Sequence, residues 1–184
     1  MSPGGHLVTT AVASAAVGYA TGSLPLATAV AAGGFLIDLD HAIDYVVFDA
    51  QRDLRPGAFL RYYLEGHVRR AVLVLHSYEL FAALGLIAWW TQAPLLSGYL
   101  IGALMHLALD IVFNGRLTPY SIAAFYSFAY RAAHRFDAVA LLGIVERPVD
   151  AGFWAMFFDN GERPKPLPRA GERAARRSAA DTLS

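Results

Sequence analysis

His106 and Asp110 stand four residues apart inside an almost wholly apolar run, Pro94 to Phe113. Four residues is about one helical turn, so both side chains leave the same face of the helix that such a run forms. An imidazole and a carboxylate in apolar surroundings are costly to bury unless something partners them. Together they suit a divalent cation. The chain has no cysteine, so a metal here is held by His, Asp and Glu. Whatever fold forms must bring further polar groups to this pair.

Composition sets the environment. Apolar residues make up 56% of the 184 and charged residues 16%, against the ~25% charged of an ordinary globular chain. That deficit points to a membrane protein or to a helical protein buried on most faces; with the apolar segments below, the expected fold is an all-α, membrane-embedded helical bundle. Basic and acidic residues balance at 15 each, which gives no electrostatic case for a nucleic-acid partner. The start, Met1 to Thr10, lacks a basic segment and does not read as a cleaved signal peptide.

Two helices are predicted at 6–20 and 25–38, separated by the turn residues Thr21 to Pro25. Their small residues, among them Gly18, Ala29, Gly33 and Gly34, permit close helix contact. A polar connection from Asp49 to Arg70 includes a short amphipathic helix near 56–66. Residues 71–90 form a continuous apolar segment ending in Trp89-Trp90, as at a membrane interface, and 94–113 form its partner. Beyond Asn114 the apolar pieces 118–130, 136–145 and 149–158 are too short to span and are expected to lie along the interface. The domain runs over 1–158. The Pro- and Arg-rich residues 159–184 are expected to be a disordered tail.

The two hairpins place their chemistry at matching depths. His76 and Glu79 precede the tip at Gln92, and His106 and Asp110 follow it, by 13 to 18 residues. His6 precedes the tip at Ser23, and Asp38, Asp40 and His41 follow it, by similar counts. At ~1.5 Å per residue all eight lie roughly 20–27 Å from the tips. If both tips point the same way, these residues share one layer. Neither tip carries Lys or Arg, so the positive-inside rule puts the layer and both termini on the cytoplasmic side.

Each element has a plainer reading. Asp38-x-Asp40-His41 can be a solvated helix end. His76 and Glu79, at i and i+3, can be a local hydrogen-bonded pair. His6 and His67 can be incidental, and His134 reads as part of a basic surface. One of Arg61, Arg69 and Arg70 can bind a phosphate. Agreement in depth favours a metal centre drawn from His6, Asp38, His41, His76, His106 and Asp110, with Glu79 or Asp40 accepting a proton. More than four ligands would suit two ions, since a catalytic zinc takes about three protein ligands plus water.

In order, the N-terminal His6, the small-residue hairpin, Asp38-Leu39-Asp40-His41, His76-Ser77 and Gly102-xxx-His106-xxx-Asp110 resemble the YdjM-like family. Its members are bacterial and archaeal inner-membrane proteins described as membrane-bound, metal-dependent hydrolases. Ile37 stands where the family usually has Pro, and His67 lies upstream of its place in the family's second box. The layout is more loosely similar to zinc-dependent phospholipases C. The resemblance implies a multi-pass inner-membrane hydrolase using one or two divalent ions, Zn²⁺ above all. A phosphoester or lipid-like substrate would enter from the cytoplasmic interface among membrane lipids. The competing expectation is a non-enzymatic membrane protein whose His/Asp cluster is a structural metal or polar network. Metal or proton transport is disfavoured because the tip-side halves of the helices offer almost no polar path.

Overall fold

The computed structural model describes residues 1–114 and 121–158. Among them the fold is all-α, without strands. The elements are α1 (Pro3–Thr21), α2 (Leu24–Leu36), α3 (Leu39–Ile43) running into a π-helical turn (Asp44–Phe48), α4 (Pro56–Leu64), α5 (Tyr78–Thr91) and α6 (Pro94–Asn114). Four short helices follow: α7 (Ile122–Phe125), α8 (Phe128–Ala133), α9 (Ala138–Leu142) and α10 (Phe153–Phe158). The expected tail, 159–184, lies outside the described residues.

Local chemistry sets the helix ends. Ser2 caps α1 by accepting from Gly5 N–H, with Pro3 at the first turn. Gly22 ends α1 in the left-handed conformation, φ 64°, and its N–H donates to the Gly18 carbonyl. Ser23 then caps α2. This Gly-Ser pair makes the first hairpin tip.

Helices α2 and α6 pack against each other through glycine. A Cβ on Gly33 would lie 1.9 Å from the Tyr99 carbonyl oxygen, and one on Gly102 would lie 2.0 Å from that of Val30. Gly98 meets Leu26 and Ala29, and His106 Nδ1 meets the Gly34 carbonyl. Each step along α2 is matched by an equal step in the same direction along α6, so the two helices are parallel. Both hairpin tips therefore lie at one end, which was the condition for a shared polar layer. Gly102→Ala should destabilise the protein by at least about 1–3 kcal/mol, because its new methyl meets backbone that cannot rotate aside. Thermal unfolding in the purification detergent measures this, and a wild-type melting curve would contradict the packing.

The predicted helix over 71–90 is only partly present. Helix α5 starts at Tyr78, and residues 71–77 form an irregular segment, largely buried. Its backbone groups are satisfied from outside. Asp44 Oδ2 accepts the N–H groups of Val72 and Leu73 at 2.7 and 3.1 Å. Asp40 Oδ2 accepts those of Leu75 and His76 at 2.9 and 3.1 Å. From the other side Arg131, fully buried, donates to the carbonyls of Val72, Leu73, His76 and Phe125. Burial pulls its guanidinium pKa down, and the Asp40, Glu79 and Asp44 carboxylates oppose that pull. With these side-chain partners, and with Ala71 N–H donating to the Phe136 carbonyl, the segment needs no helix to satisfy its backbone.

Two stretches, Leu24–Phe48 and Pro94–Asn114, are long and apolar enough to cross a membrane. Many large apolar side chains face outward, among them Val12, Leu24, Leu86, Trp89, Trp90, Leu95 and Val112.

Candidate metal centre

The irregular segment delivers His76 to the base of α6. Asp40 accepts from its backbone N–H and also faces its Nδ1 at 3.0 Å. The carboxylate thereby fixes Nδ1 as the protonated nitrogen and turns Nε2 inward. His106 is set in the same way by a different group. Its Nδ1 donates to the Gly34 carbonyl at 2.9 Å, which the glycine contact between α2 and α6 brings within reach. Both imidazoles are buried, and neither Nε2 has a hydrogen-bond partner.

Two carboxylates complete the ring. Asp38 Oδ1 lies 3.3 Å from His106 Nε2 and 3.6 Å from His76 Nε2. Asp110 Oδ2 lies 3.5 and 3.7 Å from the same two nitrogens. A tetrahedral ion with ~2.0–2.1 Å bonds has ligand–ligand edges of roughly 3.3–3.4 Å. The four nitrogen–oxygen distances are therefore close to ligand spacing, and Asp38, His76 and His106 form one group whose ligand atoms could share an ion. The paired nitrogens with a locked tautomer, a carboxylate behind one and a backbone carbonyl behind the other, are the outer-shell arrangement that orients metal-binding histidines.

The remaining predicted residues surround this ring. His6 Nε2 contacts the other Asp110 oxygen, Oδ1, at 2.9 Å. Its ring stacks on His106 with centroids 3.7 Å apart. Asn114 Nδ2 donates to the same Asp110 oxygen at 2.8 Å. His41 Nε2 lies 3.8 Å from Asp38 Oδ1, with its ring edge-on to His76. Three overlapping groups can hold a metal ion: His6 with His106 and Asp110, Asp38 with His76 and His106, and Asp40 with His41 and His76. Apart from Glu79, the layer expected from the tip counts assembles from α1, the start of α3, the 71–77 segment and α6.

Two predicted roles need correction. Glu79 does not share a helical face with His76, because the helix begins only at Tyr78. Its carboxylate points away and accepts from Ser127 Oγ and from the N–H groups of Phe128 and Ala129, tying α5 to the start of α8. It is no base for this centre. Asp40 is in the layer, but its oxygens are occupied by His76 and by two backbone N–H groups, so it orients a ligand rather than collecting a proton. Among the arginines, Arg61 is taken up by the carbonyls of Val149 and Ala151. His67 sits on the surface beside Glu65 and Glu146.

Asp44 and Arg131 were not singled out from the sequence, yet they hold the segment that carries His76. Asp44 had a legible signal: it lies one helical turn after Asp40 and repeats its function. Arg131 had none, since a basic residue in an aromatic run reads as a surface group.

The centre lies on the wall of a cavity of about 550 Å³. Asp38, His41, His76 and Asp110 contribute polar atoms, and Phe59, Tyr63, Leu73, Phe125, Met156 and Phe157 are among its apolar lining. Asp38 is the most open of the four ring members, with 43% of its side chain exposed.

Comparison with protein-family models, with curated proteins and with solved structures finds no match to this chain.

Proposed function

We propose that this protein is a membrane-bound, metal-dependent hydrolase of the kind the YdjM-like motif order suggests, acting on a phosphoester or other lipid-like substrate. The observation that carries the reading is the pair of buried, unpartnered Nε2 atoms of His76 and His106, converging with Asp38 and Asp110 at ion-coordination spacing beside a largely apolar cavity. Zinc fits the mixed nitrogen and oxygen donors. Bound there, a divalent ion lowers the pKa of its water to about 7 and polarises a scissile ester or phosphoester. Asp38 lines the cavity, so water and substrate would reach a bound ion from there. The apolar lining suits a hydrocarbon tail.

Membrane residence is supported by the two apolar stretches, the outward apolar side chains and the exposed Trp89-Trp90 pair at the tip. With neither hairpin tip carrying Lys or Arg, the positive-inside rule supports a site facing the cytoplasm in an inner membrane.

A second reading has its own observation. Four protein donors around one ion are the closed set of a structural site, in which the ion would hold α6 to the 71–77 segment without catalysis. Detergent-purified wild type should contain a divalent ion and hydrolyse bis(p-nitrophenyl) phosphate or a short-chain lipid ester, with activity lost to chelator and restored by Zn²⁺. His106→Ala should lose that activity. Undiminished metal-dependent hydrolysis in His106→Ala overturns the assignment. Bound metal without turnover of any probe supports the structural site.

A further inference from the structure

A second polar site lies away from the metal ring. Residues 69–71 and 136–138 are joined by a single antiparallel bridge, with Ala71 N–H donating to the Phe136 carbonyl at 2.9 Å and Ala138 N–H to the Arg69 carbonyl at 3.0 Å. The turn before the bridge holds Arg135 and Phe136 at φ 56° and 58°. Two successive non-glycine residues in the left-handed region are uncommon and mark a backbone held by its surroundings. Bridge and turn together set Arg135 and His134 opposite Arg69 and Arg70 across a groove of about 550 Å³.

Charge in this groove is unbalanced. Three arginines line it against two acids: Asp49 accepts from Tyr62 Oη at 2.6 Å and from Arg69 N–H at 3.0 Å, and Asp137 caps α9 through Ala140 N–H. Arg70 and Arg135 have no acidic partner among the described residues. His134 donates through Nδ1 to the Tyr130 carbonyl, which leaves its Nε2 outward. Exposed guanidiniums in a groove are complementary to phosphate oxygens.

The walls name the source of that phosphate. Phe48 lines the groove and is the last residue of the apolar stretch Leu24–Phe48. Val47 beside it is 64% exposed, and Val139, beside the lining residue Ala140, is 58% exposed. Cationic groups therefore sit where an apolar stretch ends, with exposed aliphatic residues next to the lining in sequence. We infer that this groove binds the phosphate headgroup of an anionic glycerophospholipid, with its acyl chains laid along Val47 and Phe48. The inference rests on the membrane reading above; of its two arginines, Arg70 also lines the cavity beside the metal ring, whereas Arg135 lines this groove alone.

The test uses detergent-solubilised full-length chain and three soluble probes: dioctanoyl phosphatidylglycerol, dioctanoyl phosphatidylcholine and glycerol phosphate. Wild type should bind the phosphatidylglycerol at least tenfold more tightly than the phosphatidylcholine, and the preference should weaken with added salt. An Arg70→Gln/Arg135→Gln double variant, shown by circular dichroism and melting to be folded, should lose the preference. Equal binding of the two lipids, or a preference kept by the double variant, overturns the proposal. Glycerol phosphate binding as tightly as the phosphatidylglycerol also overturns it, by assigning the groove to soluble phosphates. Because the probes need no bilayer, failure of the membrane reading registers separately, as release of the chain from membranes by alkaline extraction.

Discussion

Asp110→Ala should empty the metal centre: near-stoichiometric divalent metal in purified wild type should fall below about a tenth of that in the variant. Asp110 stands out because its two oxygens serve different neighbours. Oδ2 faces His76 and His106, while Oδ1 holds His6 and Asn114. Truncation removes one ligand and also releases the stacked His6–His106 pair from the carboxylate that fixes it. The Nε2 atoms of two buried imidazoles are then left with one carboxylate, Asp38, itself partly open to solvent. Asp40→Asn should be milder. It keeps the shape but weakens the acceptor behind His76, and outer-shell changes of this kind cost ~10–100-fold in affinity. Metal analysis after dialysis against a graded chelator separates the two variants. Equal retention of metal by wild type and Asp110→Ala would remove Asp110 from the centre.

The layer was legible because hairpins convert sequence distance into depth. Once Ser23 and Gln92 are recognised as tips, the depths of His6 and His106 follow from helical rise, that of His76 only approximately because it precedes α5, and the glycine register of α2 on α6 fixes the two tips at one end. The 71–77 segment was illegible for a related reason. Its residues are apolar and continue without a break into α5, so periodicity assigns a helix. What prevents one is a set of side chains distant in sequence, Asp40, Asp44 and Arg131, that satisfy its backbone in another conformation. Local pattern carries no trace of such partners. The same blindness misplaced Glu79: with a helix assumed from residue 71, it falls on the face of His76, but in the fold it caps α8. The hydrogen bonds of Asp40 to His76 and to two backbone N–H groups, which bear on whether it can take up a proton, are likewise visible only in the fold.

Arg131→Met should cost about 3–5 kcal/mol, the scale of removing one member of a buried charged network. The guanidinium meets four carbonyls, those of Val72, Leu73, His76 and Phe125. It also lies 5.4 Å from the centroid of the Phe125 ring, at cation–π distance. Methionine fills much of the volume but leaves those carbonyls without donors, and each unsatisfied buried group costs ~1–3 kcal/mol before relaxation. For a chain of this size such a loss lowers the melting temperature by roughly 10 °C or more. Arg131→Lys should rescue little, because one ammonium with three donors cannot reproduce a planar fork reaching several carbonyls. Metal affinity should fall with stability in both variants, since the segment that Arg131 pins is the one that aims His76. A melting temperature within 2–3 °C of wild type for Arg131→Met, a shift that corresponds to only about 1 kcal/mol, would mean that Asp40 and Asp44 alone hold the segment. Metal affinity should then remain as in wild type, so one pair of measurements decides whether His76 is aimed from one side or from both.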